Sequence, residues 1–300
     1  MLRGGIVATS VLLCNDNEFT FHFFSSSFCE DDVDKLEKSA QKYKCNIILH
    51  YVDDIKIMDA NNPGDFSWAT YYRLFIPNYL IKYCDRFLYE DVDVCVLKNI
   101  NQLWDLNLGD ACAAVIDIQV ERHFNEHKRL GVQRYFCAGG MFINCKAWIK
   151  NHVSEKAALL LKSGQKFPYY DMDILNIVLD NKVIFIDGSW QYQYSISNSI
   201  DTVAMPTKVF IPSNTYIFHY TGSIKPWHLL ARDFEVAVPF ISALKESMWS
   251  DTTFVEPRSY KEWHKFARLS KKERRYCDMI KYYYKYILKK IEQKLSIHVS

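Results

Sequence analysis

The chain is 300 residues long, 49% hydrophobic and 15% aromatic, which supplies a sizeable core and excludes a disordered polymer. Its 37 Lys/Arg against 35 Asp/Glu leave a net charge of +2, so no nucleic-acid partner is expected. Nine cysteines without a C-x-x-C pair argue against a structural zinc site or a redox dithiol. They read as free thiols of an intracellular, reducing compartment, several of them inside apolar runs (Cys84, Cys95, Cys112, Cys145).

The opening run, GGIVATSVLLC, has the length of a short signal sequence. It carries a single Arg3 and no small-x-small cleavage pattern, and reads as a buried helix with Ser10 and Asn15 near its ends. No apolar run reaches 18 residues, so no segment is expected to span a membrane. Thereafter short apolar runs alternate with helical patterns. Strands are expected at 20–25, 46–52, 86–90, 94–97, 111–118, 140–144, 182–186 and 216–220, all rich in Val, Ile, Phe and Tyr. Several are apolar on both faces, as strands lying under helices are. Between them, DDVDKLEKSAQKY opens on Asp31 and Asp32 and closes on lysine, as the helix dipole favours. SWATYYRLFIPNYLI starts on Ser67, a good N-cap, and keeps helical spacing until Pro77. AWIKNHVSEKAALLLKSG is a helix with its stop at Gly164. This alternation predicts an α/β layer fold with a mostly parallel sheet and ligands at the carboxyl ends of its strands.

Composition shifts after Glu256, which divides the chain into a body at 1–256 and a basic, aromatic helical tail at 257–300. Residues 261–300 hold twelve Lys/Arg and four Asp/Glu, a local net of +8 against −6 for the rest. In KKERRYCDMIKYYYKYILKK, Met279, Ile280, Tyr283, Tyr284, Ile287 and Ile291 recur at helical spacing beside lysines. Such a helix suits the interface of an anionic membrane; the alternative, less favoured, is a helix packed on the body with a solvated basic face.

Four places could carry chemistry. In FLYEDVDVCVLKNI, Asp91 and Asp93 follow an apolar run and, in extended backbone, point the same way, so they could share a hard divalent cation; Asp-x-Asp also arises by chance. In TYIFHYTGSIKPWH, a strand runs through His219 into a turn with Gly222 and Lys225; the lysine suits a phosphate, while a lone histidine is more often simply packed. In YYDMDILN, Asp171 and Asp173 begin a helix, where they either cap it or accept sugar hydroxyls. Arg73, a lone charge in an aromatic segment, either snorkels to solvent or points at an anion.

In order along the chain, FLYEDVDVCVLKNINQLWDLNLGD, YFCAGGMFIN, DMDILN and HYTGSIKPWH resemble the motifs of the family 8 glycosyltransferases, above all the bacterial lipopolysaccharide core galactosyl- and glucosyltransferases. The resemblance runs from about Ser10 to Trp227 and, more loosely, through the tail. It implies a nucleotide-binding glycosyltransferase type A fold and retaining transfer from a UDP-sugar donor (UDP-galactose or UDP-glucose) to a lipopolysaccharide core acceptor. It also implies a site at the cytoplasmic face of the bacterial inner membrane. Asp91, Asp93 and His219 match the ligands of manganese or magnesium. Arg73, Val92, Cys137, Ala138, Gly139, Asp171, Gly222 and Lys225 match donor-binding positions, together with the two metal-binding aspartates. Asp171, Met172 and Asp117 match residues near the reacting sugar and the acceptor. The Asp-x-Asp of haloacid-dehalogenase-type phosphatases fits worse, since Cys95 stands where that motif wants Thr or Val.

Three departures from the pattern stand out. The family's first strand is missing before the opening helix. Met172 stands where Gln is usual, which favours front-face attack over a covalent intermediate, and Cys137 stands where Asn is usual. Together they raise an alternative: an inactive homologue that binds membrane or partner enzymes.

Overall fold

The computed structural model describes residues 2–16, 18–52, 68–119 and 121–297; Ser67, the expected cap, lies outside them. The opening run is a helix, α1 (Leu2–Cys14). Gly5 lets it lie directly on Trp249, since a Cβ there would stand 2.1 Å from the indole. Ser10 accepts a hydrogen bond from the Val96 amide at 3.0 Å, and Asn15 one from the Ile100 amide at 2.9 Å. These bonds explain two polar residues in an apolar run: each satisfies a buried backbone donor.

β1 (Thr20–Ser25), α2 (Glu30–Tyr43) and β2 (Asn46–Tyr51) form a parallel crossover unit, paired from Thr20↔Asn46 to Ser25↔Tyr51. The acids of α2 fall in its first turn and Lys42 in its last. Residues Trp68–Leu74 then wind as a 3₁₀ helix, and only α3 (Ile76–Leu80) is α-helical. Pro77 is the cause: it has no amide to bond the carbonyl of Arg73, so the helix stops and restarts with proline in its first turn.

The rest of the body alternates β3 (Arg86–Glu90), β4 (Val94–Val96), β5 (Ala113–Asp117), α4 (Glu126–Leu130), β6 (Phe136–Asn144) and α5 (Cys145–Lys150). Next come α6 (Val153–Lys162), α7 (Tyr170–Val178), β7 (Val183–Ile186), β8 (Tyr192–Ser195), α8 (Ile196–Thr202), β9 (Ile217–Thr221) and α9 (Val238–Glu246). The helix expected across Ala147 to Gly164 is broken in two where His152 takes a left-handed φ of 53°, and Gly164 (φ 77°) lies just past its end. Among the described residues the strands form three sheets, β1-β2, β3-β6-β5-β7 and β4-β9-β8. Parallel pairs (β1–β2, β5–β7, β8–β9) are matched by antiparallel ones (β3–β6, β5–β6, β4–β9). That antiparallel share is larger than strand–helix alternation implies, because β6 runs back between β3 and β5 and pairs antiparallel with both.

The tail is two helices. α10 (Tyr260–Lys272) is capped by Ser259 and sinks Trp263, Phe266 and Leu269 into the body, in one apolar cluster with Leu230 and Phe234. α11 (Tyr276–Ile297) returns along it, with the ring of Tyr282 5.0 Å from Phe266 and that of Tyr286 5.0 Å from His264. No helix among the described residues is long and apolar enough to cross a membrane.

One polar pair makes the β1–β2 unit sensitive to acid. His22 Nδ1 and His50 Nε2 lie 2.9 Å apart, a hydrogen bond that needs one neutral ring as acceptor. Burial, and then His50, lower the His22 pKa from 6.5 to about 4. A folded pKa below the unfolded one means that acid protonates the unfolded chain first, so this stability is lost as pH falls from 6.5 towards 4. Thermal melts across that window should show a falling Tm, and His22→Phe should flatten the dependence.

Candidate active site

Between β3 and β4 the chain changes sheets. Glu90 is the last residue paired with β6, opposite Gly140, and Val94 is the first paired with β9, opposite His219. The Asp91 amide donates to the Gly139 carbonyl at 2.9 Å, and the Tyr220 amide donates to the Asp93 carbonyl at 2.9 Å. The two aspartates are thus tied to the edges of two different sheets, with exposed Val92 bridging them.

Each carboxylate has a cation. Arg73, from the 3₁₀ segment, is 9% exposed; its Nη2 donates to Asp91 Oδ1 at 2.6 Å and its Nη1 to the Ala138 carbonyl at 2.7 Å. Its Nε lies 2.9 Å from Asp171 Oδ2, an ion contact without hydrogen-bond alignment. Tyr89 donates to Asp91 Oδ1 at 3.0 Å and lays its ring against the Arg73 guanidinium. Asp93 Oδ2 accepts from Lys225, whose Nζ also donates to the Tyr220 carbonyl at 2.7 Å, and its Oδ1 is 3.2 Å from His219 Nε2. Arg73 therefore points at anions rather than at solvent.

Burial shapes the protonation of these groups. For His219 it opposes the charged ring, yet the Asp93 carboxylate and its hydrogen bond raise the pKa well above its ordinary value. For Asp93 burial favours the acid, but His219 and Lys225 outweigh it and hold the carboxylate ionised. Burial pushes Asp171 up to about 6, against the pull of Arg73.

Ligand atoms of Asp91, Asp93 and His219 lie within 4.8 Å of one another, and two carboxylates with an imidazole fit a hard divalent ion. The strand that faces them must be bare: a Cβ on Gly139 would come within 2.4 Å of His219 Cε1 and 2.8 Å of Asp91 Oδ2. Cys137, also on β6, puts its sulfur 3.8 Å from His219 Nδ1. Gly222 takes a left-handed φ of 80°, with the hydroxyls of Ser195 and Ser197 where a Cβ would go.

The two aspartates of α7 part company. Asp171 joins Arg73, whereas Asp173 is fully buried and accepts from Arg129 at 2.7 Å, Tyr135 at 2.8 Å and the Tyr169 amide at 3.2 Å. Met172 is half-buried against the core, and its carbonyl accepts from Asn176, which also bonds both backbone groups of Phe136 and so pins α7 to β6. Asp117 stands apart: exposed, it pairs with Arg134, and none of its bonds among the described residues reaches the Asp91–Asp93 group. Sequence reasoning overlooked Tyr89 and Glu90. The i, i+2 rule that joins Asp91 to Asp93 also puts Tyr89 on their face. Glu90 carried no separate signal; desolvation raises its pKa well above the carboxylate range, and it accepts from Gln191 at 2.9 Å.

The family profile described as Glycosyl transferase family 8 matches residues 2–231, and Glycosyl transferase family 8 C-terminal matches 235–290. A lipopolysaccharide 1,3-galactosyltransferase of Salmonella typhimurium is 29% identical over 298 residues, covering 96% of this chain and 87% of the relative. The lipopolysaccharide glucosyltransferase WaaO of Escherichia coli is 27% identical over 299 residues, with the same coverage of each chain. Among solved structures, the galactosyltransferase LgtC in complex with donor and acceptor sugar analogs superposes with a TM-score of 0.67 at 25% identity, covering 88% of this chain and 95% of that one. The fold is of the glycosyltransferase A type.

The bare face of β6 gives a direct test. Gly139→Ala should displace His219 or Asp91 and cost about 1–3 kcal/mol in urea denaturation, as overpacking of a tight interior does.

Proposed function

Because the chain belongs to glycosyl transferase family 8, we propose that it moves galactose or glucose from the UDP conjugate to a lipopolysaccharide core oligosaccharide, with retention at the anomeric carbon. The observation that carries this reading is the convergence of Asp91, Asp93, His219 and Lys225 where the chain passes between two sheets. Manganese or magnesium held by Asp91, Asp93 and His219 would supply Lewis-acid neutralisation of charge on the departing diphosphate.

The chain's own groups fill the other roles. Lys225 offers its ammonium to the diphosphate as a point charge, and Gly222, at a left-handed φ that other residues rarely take, makes the turn that brings it there. Arg73 fixes Asp91, Asp171 and the Ala138 carbonyl relative to one another, so that Asp171 presents an oxygen to the donor-sugar hydroxyls. Ala138 and Gly139 contribute backbone and Cys137 a weak partner, while Val92 meets the nucleoside. A Met172 thioether is a poor candidate for the nucleophile, which favours attack by the acceptor from the face that UDP leaves. Asp117, exposed beside Arg134, is the carboxylate left for the acceptor. The pairing of Asp91 with Arg73, and of Asp93 with Lys225 and His219, supports an active enzyme over a degenerate binding protein.

The exposed side of α11 supports a peripheral position on the inner face of the bacterial inner membrane. Tyr276, Ile280, Tyr284, Ile287, Leu288 and Ile291 are 42–65% exposed along one stripe, opposite the Tyr282 and Tyr286 face that packs on α10. Lys281 and Lys285 flank one side of the stripe and Lys290 the other, as an anionic interface requires.

Two experiments test these readings. With manganese and UDP-galactose or UDP-glucose, Asp93→Ala should cut turnover by at least about 10²–10³-fold while leaving circular dichroism unchanged. Full activity in that variant rejects the site, and no UDP-sugar hydrolysis by the wild type favours the inactive homologue. Ile280→Glu with Ile287→Glu should weaken co-sedimentation with phosphatidylglycerol vesicles by about tenfold or more, and unchanged binding rejects the membrane face.

A further inference from the structure

A second group of cations lies where the tail folds back on the body, and it shares no residue with the Asp91–Asp93 site. α10 ends as Arg274 takes a left-handed φ of 60°, and the Arg275 amide donates to the Ser270 carbonyl at 2.8 Å. This turn sends α11 back along α10. The two helices and the segment from Leu229 to Asp233 enclose a cavity of about 130 Å³. Trp263, Phe266 and Leu269 of α10 line it with buried apolar groups. Arg232, Arg275, Lys281 and Lys285 also line it, against a single acid, Asp233.

The ion pairs do not cancel this charge. Arg275 is neutralised: it lies 3.3 Å from Asp233 and 3.5 Å from both Glu273 and Asp278. Asp233 also serves Arg232, which reaches it through Nε at 3.2 Å. Both Nη groups of Arg232 are left without an acceptor among the described residues. Lys281 and Lys285 form no ion pair among the described residues; their ammonium groups stand 5.9 Å and 4.3 Å from the ring centres of Tyr282 and Trp263. A cation over an aromatic face keeps its charge and its donors. Arg232, Lys281 and Lys285 thus gather round one opening with their charge uncompensated, at a Coulombic cost that an anion would offset.

Size and donor type select the anion. Pockets for drug-sized ligands run to about 300–1,000 Å³, so this one takes a single small group. An arginine with a free fork and two ammonium point charges match a tetrahedral phosphoryl group, which offers them several oxygens at once. We infer that the cavity between α10, α11 and Arg232 is a phosphate-binding site, in which Arg232, Lys281 and Lys285 hold one phosphoryl group. At 3.6 residues per turn, Lys281 and Lys285 fall between the outer stripe of α11 and Tyr282, which faces α10. The site therefore opens beside the stripe, where the phosphate of a lipid headgroup can enter while its chains lie along Ile280, Tyr284 and Ile287. Phosphate free in solution has the same chemistry. The lipid source rests on the membrane position proposed above, and the free source does not.

The full chain tests both sources. About 10 mM inorganic phosphate, against chloride of equal ionic strength, should raise Tm by about 2 °C or more. Vesicles of phosphatidic acid should bind about tenfold more tightly than phosphatidylcholine vesicles carrying oleate at equal surface potential, since only the first present a phosphate monoester. Arg232→Gln with Lys285→Gln should abolish both effects. Lys261→Gln with Lys265→Gln, an equal loss of charge outside the cavity, should spare them. Stabilisation without vesicle preference assigns the site to free phosphate, even if the membrane face fails; preference without stabilisation assigns it to a lipid. Neither effect in the wild type overturns the inference. An effect undiminished in the cavity variant, or lost equally in the control, overturns it too.

Discussion

The site rests on one backbone constraint: the chain leaves one sheet at Glu90 and enters another at Val94, with only Asp91, Val92 and Asp93 between. Two amide–carbonyl bonds, from Asp91 to Gly139 and from Tyr220 to Asp93, fix the ends of that step. Neither aspartate can then move without breaking a ladder. Everything else is built around this hop. β6 must be bare at Gly139 to pass beside it, β9 brings His219 up to it, and the turn after β9 returns Lys225 to it.

Electrostatics follow from the same geometry. Carboxylates in a dry cleft are costly unless each has a partner, and unpaired burial would simply protonate them. Arg73 and Lys225 meet that demand from opposite sides, and Tyr89 and the Tyr220 carbonyl hold these cations in turn. Asp171 is incompletely compensated: its oxygen faces Arg73 out of line, and its pKa sits near 6. An acid with a spare, badly aligned oxygen is suited to accepting a hydroxyl from a ligand.

The sequence is legible where burial and backbone preference agree. The strands around Phe23, Leu88 and Phe218 are apolar runs edged by turn residues, and their bounds fall within a residue or two of the expected ones. β6 is longer than expected because its first half, FCAG, has two small residues and little β-branching; it is a strand because the hop needs an edge to bond. β8 escaped notice because it is only four residues long and polar Gln193 and Ser195 leave no apolar run, with Gln191 just ahead of it. Both glutamines are buried, Gln193 bonding the Asp117 carbonyl and the Gln119 amide, a satisfaction visible only in three dimensions. The split of the Trp68 helix at Pro77 was written in the sequence, whereas the left-handed turn at His152 was not. Within the site, spacing joined Asp91 to Asp93 but could not separate Asp171 from Asp173. That separation depends on Arg73 and Arg129 arriving from distant elements.

The packing of α11 settles a matter of heading. Because Tyr282 and Tyr286 key that helix against Trp263, Phe266 and His264, it cannot roll about its own axis. Its outer stripe keeps one fixed bearing relative to the cleft that holds Asp91 and Asp93. Seated on a flat surface through that stripe, as proposed above, the molecule would take a single pose, like a boat on its keel. Its cleft would then be held at one height above that surface, searching in two dimensions instead of tumbling through three.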